Sequence, residues 1–243
     1  MKNIGLFGCC QLNLVCNFFL NKKVLSDNNL KIIFNLPFYV YDTKYPTYKK
    51  PLDYNIFDNI DILIIENNKL ENEASSDKII NYCSKKKIKI IKTCMLKFPI
   101  YPINWSGLDE NINDYKNWKI LENIDYKLKF DKCINSLSRN IIDSNLDINI
   151  VNFIRNNFNK TLLFTHSLHP TNILLYELWK SIFKCLDISI TDYNYIFKNE
   201  LINCWFNPFT SKMITDLNIE FEVKISDEFY IERYNRLKNK ILF

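Results

Sequence analysis

The folds open to this 243-residue chain are limited most by a recurring pattern: short apolar runs, each closed by a polar or glycine residue and followed by helical spacing. Lys2-Asn3-Ile4-Gly5-Leu6-Phe7-Gly8 is the first, an apolar run that ends in glycine as a buried strand does. Leu30-Lys31-Ile32-Ile33-Phe34, Ile60-Asp61-Ile62-Leu63-Ile64-Ile65 and Ile88-Lys89-Ile90-Ile91 repeat it, the third run closed by Glu66-Asn67-Asn68. After the first run, the spacing predicts a helix from about Gln11 to Asn21 with Leu12, Val15, Cys16 and Phe19 on one face. Ser75 or Ser76 can cap a helix that runs to about Lys86. Strands that alternate with helices predict an α/β fold, a mostly parallel central sheet covered by helices on both faces.

The pattern changes downstream. Phe98-Pro99-Ile100-Tyr101-Pro102-Ile103-Asn104-Trp105-Ser106-Gly107 reads as an aromatic, proline-rich loop. Residues 110 to 160 follow with helical spacing, and Ile141, Leu146, Ile150, Phe153 and Ile154 are the expected buried positions. Thr161-Leu162-Leu163-Phe164 is one more apolar run, and Thr165-His166-Ser167-Leu168-His169-Pro170-Thr171 comes directly after it. A helix is expected from about Pro170 to Leu186, with proline at its first position and Ile173, Leu174, Leu178 and Ile182 on one face. The part from about 190 to 243 reads as helical. No repeat or low-complexity linker divides the chain, so one domain over 1–243 is expected.

Composition excludes several classes. No apolar run reaches the roughly 18 residues of a membrane span, and Ile4-Gly5-Leu6-Phe7 is too short for a signal-peptide core. The eight cysteines form no C-x-x-C pair and no zinc-finger spacing, so most read as reduced, buried small hydrophobes in a cytoplasmic protein. A net charge of +5 suits a phosphate-bearing small molecule at least as well as nucleic acid and does not decide the partner, but no zinc-finger or basic-stripe pattern appears, and no nucleic acid is expected. Abundant Asn, Ile and Lys with scarce Gly, Ala and Arg follow the codon bias of an AT-rich genome. A large DNA virus or a parasite has such a genome, and a viral protein would then work in the host cytoplasm.

Two segments can carry chemistry. Cys10 falls on the turn between the first strand and its helix, where backbone N–H groups and the helix dipole favour a thiolate and can hold an oxyanion. Gln11 can add a side-chain N–H donor, and Cys9 is expected to point into the sheet-helix packing. An inert buried thiol is the competing reading of Cys10. His166 and His169 are the only imidazoles and hence the obvious general bases near neutrality. Two ligands without a carboxylate cluster are too few for a metal, so none is expected. Both segments follow apparent strands, and ligands of open α/β sheets bind beyond the carboxyl ends of strands, so the two are expected to meet.

At these residues the sequence resembles the WcbI-type polysaccharide biosynthesis acetyltransferase family. That family opens with strand-Gly-Asn-Cys-Gln, carries a Phe-Pro segment at mid-chain and later a Thr-x-x-His-Pro-Thr-like segment. The counterparts here are Gly8-Cys9-Cys10-Gln11, then Phe98-Pro99 with Tyr101-Pro102 and Trp105-Ser106-Gly107, then Thr165 with His169-Pro170-Thr171. They cover about residues 3 to 187, leaving 188–243 as a helical C-terminal extension. The resemblance implies coenzyme A as cosubstrate and acetyl transfer to a sugar or sugar-nucleotide acceptor in surface-glycan synthesis. It places His169, Cys10, Gln11 and His166 in the catalytic group, with Gly8, Cys9, Lys97, Trp105 and Thr165 toward the cofactor. His169 would deprotonate the acceptor.

The strand-Cys turn and late histidine are also similar to SGNH-type esterases, which, like flavodoxin-like proteins, have three layers; His166 stands where those enzymes carry the orienting aspartate. Cys9 replaces the family's asparagine, a weaker hydrogen-bonding group. An acyl esterase using Cys10 and His169, and a silent coenzyme A-binding module, are the alternatives. A homo-oligomer is compatible with all three.

Overall fold

The computed structural model describes residues 1–42, 51–101, 124–197, 199, 201–202 and 206–228. They fall into two compact units. The first comprises Met1–Leu96, Arg139–Ile150 and Asn172–Ile202, and the second Lys97–Ser138, Val151–Thr171 and Asn203–Phe243.

The first unit is built on an all-parallel sheet of β1 (Lys2–Gly8), β2 (Leu30–Pro37), β3 (Ile62–Asn67) and β4 (Lys89–Cys94), in the order β2-β1-β3-β4. The expected α/β fold with its mostly parallel central sheet is the observed one. Each strand coincides with a predicted apolar run. β1 and β3 lie inside the sheet, which is why Ile4, Leu6, Phe7, Leu63, Ile64 and Ile65 are buried without alternation. The register of β1 on β2 shifts between Ile4 and Gly5, and the Phe34 ring lies over Gly5. A Cβ at Gly5 would stand 2.2 Å from Cζ at the tip of that ring, which packs edge-on against Phe57 with centroids 5.4 Å apart.

The helix expected from Gln11 to Asn21 is instead three short ones, α1 (Cys10–Asn13), α2 (Cys16–Phe19) and α3 (Lys22–Asp27). Its apolar face is as predicted, since Leu12, Val15, Cys16 and Phe19 are all buried. The break follows from competition for a carbonyl. Asn13 O accepts from the Asn35 side-chain amide at 2.8 Å and from the Cys16 thiol at 3.3 Å, so it is lost to a continuous helix. Asn21 then opens α3 by accepting from Lys23 N and Val24 N. Between β3 and β4 lies α4 (Ser76–Lys85), which starts where predicted. Asn68 Oδ1, rather than a Ser75 hydroxyl, accepts from Ser76 N.

In the second unit, α5 (Tyr126–Asp143, shared at its end with the first unit) and α6 (Val151–Asn157) accompany a hairpin of β5 (Phe164–His166) and β6 (His169–Pro170). The 161–164 run, expected as an apparent strand, leads into β5. Phe164 pairs with Pro170 and His166 with His169, antiparallel, in a separate two-stranded sheet. The following helix, α7 (Asn172–Cys185), belongs to the first unit and starts two residues later than predicted. Thr171 is held extended, its N–H donating to Leu163 O at 2.9 Å and its hydroxyl to Leu162 O at 2.8 Å, so Pro170 cannot open a helix. Leu174, Leu178 and Ile182 are buried as expected, but Ile173 is exposed; Leu175, Trp179 and Phe183 complete the face. Trp179 stacks on Phe19 with centroids 5.1 Å apart. A final helix, α8 (Ser211–Leu217), is in the second unit. No helix among the described residues is long and apolar enough to cross a membrane.

Replacing Gly5 by alanine should force Phe34 off Phe57 and cost about 1–3 kcal/mol. Urea denaturation followed by tryptophan fluorescence measures it.

Candidate active site

Chain order and sheet order disagree at one place. The chain runs from β1 outward to β2 and then crosses back to β3 on the other side of β1, so strand order reverses between β1 and β3. In open α/β sheets ligands bind outside the carboxyl ends of the strands at such a point. The residues at those ends are Gly8, Cys9 and Cys10 after β1, and Glu66 and Asn67 at the end of β3.

Glu66 was not among the predicted site residues, and it organises this group. Its carboxyl is fully buried, and Oε2 accepts the backbone N–H of Cys9. Gly8 makes room for it: a Cβ there would stand 2.7 Å from Glu66 Oε2 and 2.8 Å from Leu12 Cδ2. Gly8 is thus a close-approach glycine, which is a structural reason for the Gly-Cys-Cys order. Glu66 Oε1 and the neighbouring Thr93 hydroxyl are buried without a hydrogen-bond partner among the described residues. Burial lifts the Glu66 carboxyl to about 7, against the opposing pull of its bonds to Cys9. The signal in the sequence was a lone acidic residue closing an apolar run at what becomes the switch point.

The thiols respond to that carboxyl. Cys9 is buried, as predicted, and its thiol is held well above the ordinary range by its hydrogen bond with Cys10, by burial and by the charge of Glu66. Burial and the same carboxylate push Cys94 to about 12. Cys9 is therefore a thiol at neutral pH, a donor beside Cys10. The Cys9 N–H, taken by Glu66, is not available to an oxyanion. Cys10 is partly exposed at the first position of α1.

Gln11 is fully buried, and its amide forms a two-bond clamp with one residue: Nε2 donates to Leu96 O at 2.9 Å and Oε1 accepts from Leu96 N at 2.7 Å. It ties α1 to the segment leaving β4. No disulfide joins the described cysteines, and no group of three metal-ligating side chains occurs among the described residues.

In the second unit the histidines face each other across the β5–β6 hairpin, with Ser167 and Leu168 at its turn. His166 Nε2 lies 2.9 Å from His169 Nδ1, and Leu168 N donates to His166 Nδ1 at 3.2 Å. His166 is buried, and burial together with the positive charge His169 can carry lowers it to about 4. Thr165 is buried, its hydroxyl donating to His169 O at 3.2 Å, which makes it a hairpin brace. The Phe-Pro segment carries the hairpin. Phe98 N donates to Ser167 O at 2.7 Å, the Phe98 ring stacks on Phe164 at 5.1 Å, and the Tyr101 hydroxyl donates to Phe164 O at 2.6 Å. Lys97, beside Phe98, is exposed. Trp105 lies outside the described residues.

The structure thus groups Gly8, Cys9, Cys10 and Gln11 in the first unit, and Lys97, Thr165, His166 and His169 in the second. No protein-family model matches the sequence, and no curated protein matches it. A solved structure does: WcbI, described as a novel polysaccharide biosynthesis enzyme, as native protein without a disulfide bond between coenzyme A and one of its cysteines. The match covers 98% of this chain and 90% of WcbI, with a TM-score of 0.69 and 14% sequence identity. The chain has a WcbI-like fold.

Glu66 binds its proton more tightly folded than unfolded, so its stabilising share is present below about 4.5 and is lost as pH rises through about 7. Glu66→Gln keeps an acceptor for Cys9 N–H but cannot ionise. Relative to wild type it should gain roughly 2–3 kcal/mol between pH 4 and pH 8. His166 cancels in this difference, which paired denaturation curves at the two pH values give.

Proposed function

We propose that this chain is an acyltransferase that moves an acetyl group from acetyl-coenzyme A to a sugar hydroxyl or amine in polysaccharide or surface-glycan synthesis. The observation that carries the reading is the likeness to WcbI over nearly the whole of both chains, a polysaccharide biosynthesis enzyme whose cysteine is described in relation to coenzyme A. In support, this chain places Cys10 at the switch point of its parallel sheet, where the fold class takes its ligands.

In this reading Cys10 meets the sulfur end of the coenzyme, His169 serves the acyl carbonyl and its acceptor, and His166 stands behind His169. Gly8, Glu66 and Gln11 hold the Cys10 turn. Lys97 and the unassigned Trp105 are the proposed contacts to coenzyme phosphate and adenine. The fit of the donors is chemical: a thioester needs hydrogen-bond donors at its oxygen, and both thiol and imidazole supply them.

Incubation with acetyl-coenzyme A and a panel of amino sugars, hydroxy sugars and nucleotide sugars should give coenzyme A release that depends on the acceptor. Cys10→Ala and His169→Ala should each lower kcat/KM by roughly a hundredfold or more. Ester cleavage without an acceptor would turn the reading to an esterase, and tight coenzyme A binding without turnover to a binding module.

A further inference from the structure

The contact between the two histidines has a direction, set by a backbone N–H and by the burial of one ring. A backbone N–H only donates, so the ring atom it meets, His166 Nδ1, is a bare nitrogen. Burial, the larger cause, holds His166 well below the usual histidine range, so it is neutral near pH 7. A neutral imidazole carries one proton, which must then sit on Nε2. That proton lies on the 2.9 Å line to His169 Nδ1, which accepts it. With Nδ1 accepting, the proton of the His169 ring sits on Nε2. Protonating His166 would set a second N–H against Leu168 N–H, so the hairpin itself opposes the cation.

We infer that His166 is a positioning residue that holds His169 in the Nε2–H form, so that His169 meets the acyl group as a hydrogen-bond donor and not as a base. The inference rests on the acyl-transfer reading above and corrects the expectation that His169 deprotonates the acceptor. An aspartate at 166 would do the reverse, accepting from Nδ1–H and leaving Nε2 basic, as the orienting carboxylate of a hydrolytic triad does.

In the transfer step, the acceptor's oxygen or nitrogen bonds to the acyl carbon and the carbon–sulfur bond of the thioester breaks. The acceptor's proton leaves on the departing sulfur as coenzyme A thiol, while His169 keeps its proton and stabilises the charge on the carbonyl oxygen. A donor-only imidazole activates neither water nor a hydroxyl, so the tautomer favours transfer to an acceptor that is nucleophilic without a base, an amine, over hydrolysis.

The chain has two histidines in all, so a long-range 1H–15N spectrum of the 15N-labelled full chain at pH 7 resolves both rings. Protonated Nε2 on both is expected, and a protonated Nδ1 on His169 overturns the inference. In His166→Asp the His169 proton should move to Nδ1; if it stays on Nε2, His166 does not set it. With an acceptor, His169→Gln, which supplies an N–H without basicity, should lose no more than about tenfold in kcat/KM where His169→Ala loses roughly a hundredfold. Equal losses would also overturn the donor role. The spectra need no substrate, so a failure to find acyl transfer would remove the functional reading without touching the tautomer.

Discussion

A carboxyl group buried without a cationic partner among the described residues sits at the hinge of the first unit, and the local architecture is arranged around it. Glu66 closes β3 at the place where strand order reverses, and it receives the N–H of Cys9 from the turn leaving β1. That bond requires Gly8, because any side chain there would collide with the carboxyl. The Cys9 thiol is raised chiefly by its hydrogen bond with Cys10 and by burial, and Cys94 chiefly by burial; the Glu66 charge adds to both, since a negative charge in a dry setting resists a second one close by.

The histidine hairpin follows the same logic with the opposite charge. Two imidazoles in contact cannot both be cationic at little cost, and the buried one gives way. A backbone N–H at the turn then fixes which nitrogen of that ring is bare. The aromatic stack of Phe98 on Phe164 and the Tyr101 hydroxyl hold the hairpin, so the mid-chain Phe-Pro segment acts through packing. Glu66 loses stabilising effect as pH rises through about 7, while His166 loses it as pH falls through the histidine range toward about 4, and the two oppose each other in the window between.

Much of this was legible in residue order. The four apolar runs became the four parallel strands, and the two inner ones, β1 and β3, are buried without alternation as strands covered on both faces are. The face of Leu12, Val15, Cys16 and Phe19 survived a helix broken into three, since burial follows the side chains even where a carbonyl is captured by Asn35. The 161–164 run announced a strand but not its partner, because a short apolar run is consistent with either kind of sheet, and a two-residue turn at Ser167-Leu168 closes it as a hairpin. Gln11 was expected as a side-chain N–H donor for the pocket, but its amide is engaged by Leu96, 85 residues away, and no local pattern reveals that.

The sequence by itself determined the elements, the parallel sheet and the two segments that carry reactive side chains, because these depend on local spacing and on the chemistry of single residues. Only the tertiary structure decided which polar groups became buried and against whom. It brought Glu66 to Cys9 across two strands, and it set His166 against His169 with a backbone N–H behind it. Protonation states depend on desolvation and on the direction of each hydrogen bond, and both come into being when the chain packs.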